Sequence, residues 1–218
     1  QQKIEEALSI TYNENITVTG ASRTDTGVHA LGQRCSFKAV NPCIPVDKIP
    51  YAINSLLPED IAVTASEIVP DEFNPRYAAV DKTYRYTIYN GKFRNPLLTN
   101  SAWFMYYPLD VDKMKSGAKY FVGEHDFKAF QATGGSAKTT VRKINWVNVE
   151  RQGDLIVFQV NGNGFLYNMV RIMAGTLVYM GCDKLDYRDC PEMILSKDRK
   201  RAGITAPPQG LCLMEIHY

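Results

Sequence analysis

The sequence predicts an α+β fold arranged as two lobes, and three observations carry that expectation. Strand-like and helix-like stretches interleave without the regular strand–helix–strand period of a doubly wound sheet, a pattern that suits antiparallel sheets with helices on one face. Residues 82–89 alternate strictly: Tyr84, Tyr86 and Ile88 share one face, and Thr83, Arg85 and Thr87 share the other. Residues 70–77 are polar and broken by proline, and the charge balance changes sign there. Residues 1–75 hold 5 Lys and Arg against 10 Asp and Glu, whereas residues 76–218 hold 20 against 13. The expected lobes are therefore 1–78 and 79–218. The positive second lobe offers phosphate contacts to a nucleic acid, unless its charges merely solvate a surface.

The elements follow from local pattern. Residues 1–10 read as a helix, with Ile4, Ala7 and Leu8 on one face and Lys3, Glu5 and Glu6 off it. No capping residue precedes it, so the chain is expected to enter partway through an element. Residues 16–20 and 33–40 read as strands, and residues 41–45 as a proline-bounded loop. Residues 46–57 read as a helix with Ile49, Ala52, Ile53 and Leu56 on one face and Pro50 in its first turns. Residues 61–69 are a strand candidate. Asn90-Gly91 signals a turn after the 82–89 strand, and residues 102–107 are a further strand candidate. Residues 112–122 read as a helix with Met114, Ala118, Phe121 and Val122 inward. Residues 141–150 and 155–161 read as long strands joined by an Arg-Gln-Gly-Asp turn. Residues 167–180 form a strongly apolar helix ended by Gly181. Residues 191–196 suit a short helix, and residues 211–217 a closing strand.

Several function classes are disfavoured. No apolar run approaches the ~20 residues that span a membrane. Cys35, Cys43, Cys182, Cys190 and Cys212 are odd in number and lack C-x-x-C spacing. They read as reduced thiols of a cytoplasmic protein. His29, His125 and His217 are too scattered to form a zinc motif.

The chemistry concentrates in residues 20–33, G-A-S-R-T-D-T-G-V-H-A-L-G-Q. Apolar alternation at Ile16 and Val18 leads in, and Arg34 to Phe37 is β-like again, so a polar loop is held between two rigid flanks. Gly20, Gly27 and Gly32 permit positive φ or close backbone approach. Asp25 stands between Thr24 and Thr26, whose hydroxyls could hold its carboxylate, and Arg23 can supply a positive charge. The plain alternative is a turn with an ordinary Arg-x-Asp surface pair. The wider pattern outweighs it: R-T-D-x-G-V-H-A-x-G-Q resembles the signature of the tRNA pseudouridine synthase A family.

That resemblance implies two ferredoxin-like (RRM-like) halves with antiparallel sheets joined into one extended sheet, helices on one face, and an active-site cleft between the halves. It implies isomerisation of uridine to pseudouridine at positions 38, 39 and 40 of the tRNA anticodon arm, with Asp25 as the catalytic residue. The N1–C1′ bond breaks, the base turns and C5 bonds to C1′. This is redox-neutral, so no cofactor and no metal are expected. The target base must be extruded from its stack. Asp25 serves as nucleophile or as base, and either role needs the ionised form, which a nearby Arg favours. The family also implies a homodimer, and a first strand and Gly-Trp-Gln loop that are expected to be missing here.

Further positions join through their own motifs. Asn-Gly-Asn-Gly-Phe-Leu-Tyr-Asn-Met-Val-Arg resembles a second family motif, whose Arg, here Arg171, pairs with the catalytic Asp. By spacing alone, Asn168, Arg171 and Gly175 form a narrow polar stripe that could simply be solvated. Lys-x-Tyr-Arg-Tyr resembles the motif whose first Tyr, here Tyr84, stacks on the target uracil. The bland alternative is a core tyrosine of a strand. Phe165 and Leu166 are pocket-wall candidates or core residues. Arg23 matches a signature Arg that holds the RNA backbone or assists flipping. His29 reads as a loop histidine rather than a catalyst. Lys197, Arg199, Lys200 and Arg201 form a basic cluster, a charged helix end or a phosphate contact. Thr205 to Leu211, T-A-P-P-Q-G-L, resembles the family's C-terminal motif. Two rivals remain: a non-catalytic RNA-binding module, which would not require Asp25, and a metal-dependent hydrolase using Asp25 and His29, for which no further ligand lies at suitable spacing.

Overall fold

A computed structural model describes residues 1–40 and 43–218. Its helices are α1 (Gln2–Tyr12), α2 (Ile49–Asn54), α3 (Val111–Ala118), α4 (Met169–Gly181) and α5 (Cys190–Ser196). Its strands are β1 (Thr19–Gly20), β2 (His29–Ala30), β3 (Cys35–Ser36), β4 (Asp81–Tyr89), β5 (Trp103–Phe104), β6 (Gly123–Asp126), β7 (Val141–Gln152), β8 (Leu155–Gly162) and β9 (Leu211–His217). The chain divides into two compact units. One holds Gln1–Arg23 and Gln33–Ala79, and the other holds Thr24–Gly32 and Val80–Tyr218. The motif loop thus folds with the C-terminal part of the chain, because β2 pairs there in parallel with β9 (His29↔Cys212).

In the first unit α1 buries Ala7, Leu8 and Tyr12 against Ile16, Val18, Ile49 and Ile53. The helix ends on Asn13 at φ 53, a left-handed residue that lets the chain turn away. The strands expected over residues 16–20 and 33–40 contract to the short β1–β3 pair, Thr19↔Ser36 and Gly20↔Cys35. The helix expected over residues 46–57 is a 3-10 turn, Val46–Lys48, followed by α2. Pro50 lacks the N–H a longer helix would need and sits at the start of α2 instead. Ile49 and Ile53 are buried as expected, but Leu56 is exposed. No strand forms over residues 61–69. There the Asn54 amide serves both backbone groups of Val63, at 2.8 Å each, and so takes the place of a ladder partner. The first two residues of the expected 41–45 loop lie outside the described residues.

In the second unit β2, β9, β4, β8, β7 and β6 follow one another across a sheet, and β5 joins β4. The central strands β9-β4-β8-β7 are antiparallel neighbours. The sheet is mixed rather than antiparallel throughout, because β2 runs parallel to β9 and β5 runs parallel to β4. In chain order the central strands and long helices run β4-α3-β7-β8-α4-β9. The alternation read in β4 holds: Tyr84, Tyr86 and Ile88 are buried. They oppose Val160, Phe158 and Ile156 of β8, which are buried too. The helix expected over residues 112–122 ends at Ala118 and tightens into a 3-10 turn, so Phe121 points inward while Val122 is exposed. Asn90-Gly91 makes no two-residue hairpin: the Asn90 side chain donates to the carbonyls of Met105 and Tyr107 and ties β4 to the segment leading from β5. No helix among the described residues is long and apolar enough to cross a membrane.

Candidate active site

Glycine chemistry sets the motif loop. Gly27, at φ 83, closes a turn in which Val28 N donates to Asp25 O at 3.0 Å. The loop then lies on β9, where Leu31 N donates to Leu213 O at 2.8 Å. A Cβ on Gly32 would stand 2.3 Å from Met214 O, so only glycine allows this approach. His29 donates through Nε2 to Asn100 O at 2.6 Å, which makes it a satisfied loop histidine.

Asp25 meets Arg171 across this arrangement. Arg171 Nη1 stands 2.9 Å from Asp25 Oδ2, with side-chain exposures of 14% and 29%. The same nitrogen donates to Asn168 Oδ1 at 2.8 Å, and Arg171 Nε donates to Ala206 O at 2.7 Å. A guanidinium fixed on three sides presents its charge in one direction, unlike a surface arginine. Asn168 starts α4 at φ 60, a left-handed conformation that asparagine tolerates. Ala206 is held by a strap that runs along α4. Gly203 N donates to Thr176 Oγ1 at 2.9 Å, and Ala206 N donates to Arg171 O at 3.1 Å. A Cβ on Gly175 would stand 1.9 Å from Ile204 O, so Gly175 belongs to a close helix–strap contact and not to a solvated stripe.

Two sequence expectations change here. Thr24 and Thr26 make no hydrogen bond to the Asp25 carboxylate among the described residues; Arg171 does. Arg23 is exposed, ends the first unit and makes no ion pair among the described residues.

Tyr84 is 7% exposed and meets Phe165 edge-on, with ring centroids 5.1 Å apart. Phe165 lies in the loop between β8 and α4, three residues before Asn168. Leu166 is buried, and its N–H donates to Met169 Sδ at 3.5 Å. Contacts and short chain paths therefore gather Tyr84, Phe165, Leu166, Asn168, Arg171 and Asp25. Tyr86 donates its hydroxyl to Pro207 O at 2.7 Å and so steadies the strap. Burial pushes its phenol far above the usual range, and Arg171 only partly offsets that. Its neighbour role was visible only as alternation in β4.

The basic cluster is partly neutralised. Lys197 pairs with Asp126 at 2.8 Å, and Arg201 with Glu192 at 3.5 Å. Among the described residues no three His, Cys, Asp or Glu side chains gather as metal ligands would.

The sequence model described as tRNA pseudouridine synthase matches residues 1–78 and 118–218. The chain is 47% identical over 218 residues to tRNA pseudouridine synthase A of Thermoanaerobacter sp. (strain X514), covering all of this chain and 89% of that protein. It is 50% identical over 219 residues to tRNA pseudouridine synthase A of Ruminiclostridium cellulolyticum, and 48% identical over 218 residues to that of Geotalea daltonii, with the same coverage. Similarity of this depth over the whole of its length means that the chain belongs to the tRNA pseudouridine synthase family, isomerases that turn uridine into pseudouridine in tRNA.

Proposed function

We propose that this tRNA pseudouridine synthase acts on the anticodon stem-loop, at positions 38, 39 and 40, with Asp25 as the catalytic carboxylate. The observation that carries the reading is the 2.9 Å contact between Arg171 and Asp25. A guanidinium locked beside a partly sheltered carboxylate holds that carboxylate in one place, the positioning that attack at C1′ or proton removal from the sugar both require. Tyr84 stacks on the flipped uracil, with Phe165 and Leu166 forming the wall behind it and Arg23 holding the RNA backbone. The edge-on Tyr84–Phe165 pair supports this, since it fixes the plane of the phenol ring.

The lobes of the proposal are 1–78 and 79–218, with residues 24–32 of the first seated in the compact unit of the second, and each is built on a ferredoxin-like plan. The strand order β9-β4-β8-β7 with α3 and α4 as the two crossovers supports the plan for the second lobe. The enzyme works as a homodimer in the cytoplasm; the free thiols of its five cysteines support a reducing compartment. The test is tritium release from tRNA labelled at uridine C5, with Asp25→Asn as the comparison. Asn keeps the shape and loses the charge, so release should fall by about 10²–10⁴-fold while the fold stays intact. A variant within about tenfold of the parent rate would remove Asp25 from the mechanism.

A further inference from the structure

A second feature of the C-terminal unit is not used by the Asp25 chemistry. A cavity of about 280 Å³ opens beside the residue 131–135 loop, lined by Lys128, Gln131, Gly134, Gly135, Lys197 and Arg199. Its charge is unbalanced. Lys197 is paired with Asp126 at 2.8 Å, but among the described residues the other two cations meet only neutral oxygens. Lys128 Nζ donates to Gln131 Oε1 at 3.0 Å. Arg199 donates to Ala202 O at 3.4 Å and to Thr205 Oγ1 at 3.2 Å. Arg199 is half-buried, and that burial lowers its pKa below the ordinary guanidinium value. A cation removed from water without a counter-charge is costly, and an incoming anion relieves the cost.

Gln131 adds a neutral donor. It is 7% exposed, its Oε1 accepts from Lys128, and its Nε2 donates to no acceptor among the described residues. A Cβ on Gly135 would stand 2.4 Å from that Nε2, so the amide lies directly against the glycine. Gly134, at φ 90, turns the loop with nothing over its Cα. Ammonium, guanidinium and amide donors around one open cavity match the several oxygens of a phosphate.

The cavity is tied to the catalytic pair on two sides. Ala132 N donates to Tyr167 O at 3.1 Å, and Tyr167 precedes Asn168, which holds Arg171. Thr205, which holds Arg199, precedes Ala206, which also holds Arg171. We propose that Lys128, Gln131 and Arg199 form a subsite for a phosphodiester of the substrate RNA, one that flanks the uridine presented to Asp25. The proposal rests on the tRNA reading given above. The subsite grips the strand and takes no part in bond making, so it sets affinity and not the chemical rate.

The experiment compares the full chain with Lys128→Ala, Arg199→Gln and a control, Lys115→Ala on α3. Lys128 is exposed, so its truncation leaves the fold alone; Arg199→Gln keeps a neutral donor near Thr205. For each, tRNA affinity is measured across salt concentrations, and single-turnover tritium release is measured at saturating tRNA. Losing one phosphate contact should flatten the slope of log K against log salt by about 0.7–0.9. The two subsite variants should show that change with the saturated rate retained, and the control should not. Parental slopes in both variants, or an equal change in the Lys115 control, would overturn the subsite. If the parent chain itself releases no tritium from tRNA, the enzyme reading fails, and the subsite falls with it. Release with unaltered slopes refutes the subsite alone.

Discussion

Arg171 and Asp25 lie 146 residues apart in the chain, yet one guanidinium nitrogen bridges Asp25 Oδ2 and Asn168 Oδ1 at 2.9 and 2.8 Å. The second anchor, from Nε to Ala206 O, makes the guanidinium a fixture of α4 and the strap rather than a tether of the motif loop. The loop docks onto a charge that is already positioned.

Arg171→Met should therefore cost activity far more than stability. Asp25 is 29% exposed at its side chain, so water can replace the lost partner. Arg171→Lys keeps the charge but not the fork that reaches Asp25, Asn168 and Ala206 together. Single-turnover rates should fall in the order parent, Lys, Met, with Met at least about 10²-fold down. Equal rates for Lys and the parent would show that charge alone matters.

Tyr84→Phe keeps the ring that meets Phe165 and that, in the proposed role, stacks on the uracil. Tyr84→Ala removes both contacts. Base–aromatic stacking contributes about 1–3 kcal/mol, so Ala should lose roughly five- to 150-fold in kcat/KM, and Phe much less. Ala also empties a buried site and should lower stability by about 3 kcal/mol, which thermal unfolding will register separately. If Phe is as slow as Ala while binding RNA well, the hydroxyl and not the ring does the chemistry.

Gly175→Ala tests the strap. Its new Cβ would fall 1.9 Å from Ile204 O, so the strap must shift and carry Ala206 O away from Arg171. Overpacking of this kind costs about 1–3 kcal/mol. A lower Tm and slower turnover should appear together; a lower Tm with full activity would mean the strap does not position Arg171.

A pH-dependent term sits at the end of β9. Asp81 Oδ1 accepts from His217 at 2.6 Å and from Asn161 at 2.7 Å. The Asp81 hydrogen bond holds the His217 pKa above its ordinary 6.5, helped by Glu215. Burial alone would raise the Asp81 pKa, but Asn161 and His217 outweigh it and hold it below 3.8. The raised histidine contributes stability that is fully present below about pH 6.5 and is lost as pH rises through its folded value. The depressed aspartate contributes above the usual carboxylate range and fails only on acidification. His217→Gln should thus destabilise more at about pH 5.5 than at about pH 8.5, measured by urea unfolding. A difference that does not vary with pH would remove the charged form of His217 from the fold's energetics.

The sequence made some of this legible and hid the rest for physical reasons. Strand β9 was bounded to the residue, and β4 with its buried Tyr84, Tyr86 and Ile88 was clear, because a half-buried strand writes its pleat into alternation. The stretch at residues 61–69 has similar alternation and forms no strand, since a ladder needs a partner that side-chain pattern does not supply. Asp25 and Arg171 were recognisable from motifs. Ala206 was not, because a backbone carbonyl leaves no mark in residue identity. The left-handed Asn168 and the crowding at Gly175 were equally silent, since both are properties of the neighbouring chain and not of the residue type.

The pairing of His29 with Cys212 and of Ala30 with Leu213 also fixes when the site can exist. A ribosome makes the motif loop early and β9 late, and domains fold as their parts emerge. Asp25 is therefore exposed on a nascent chain with neither its docking strand nor Arg171 yet made. Contacts of such sequence separation close last and slowly. The proposed site is assembled only once β9 has been made, so a ribosome stalled before residue 211 holds a chain that carries Asp25 without the strand that docks its loop.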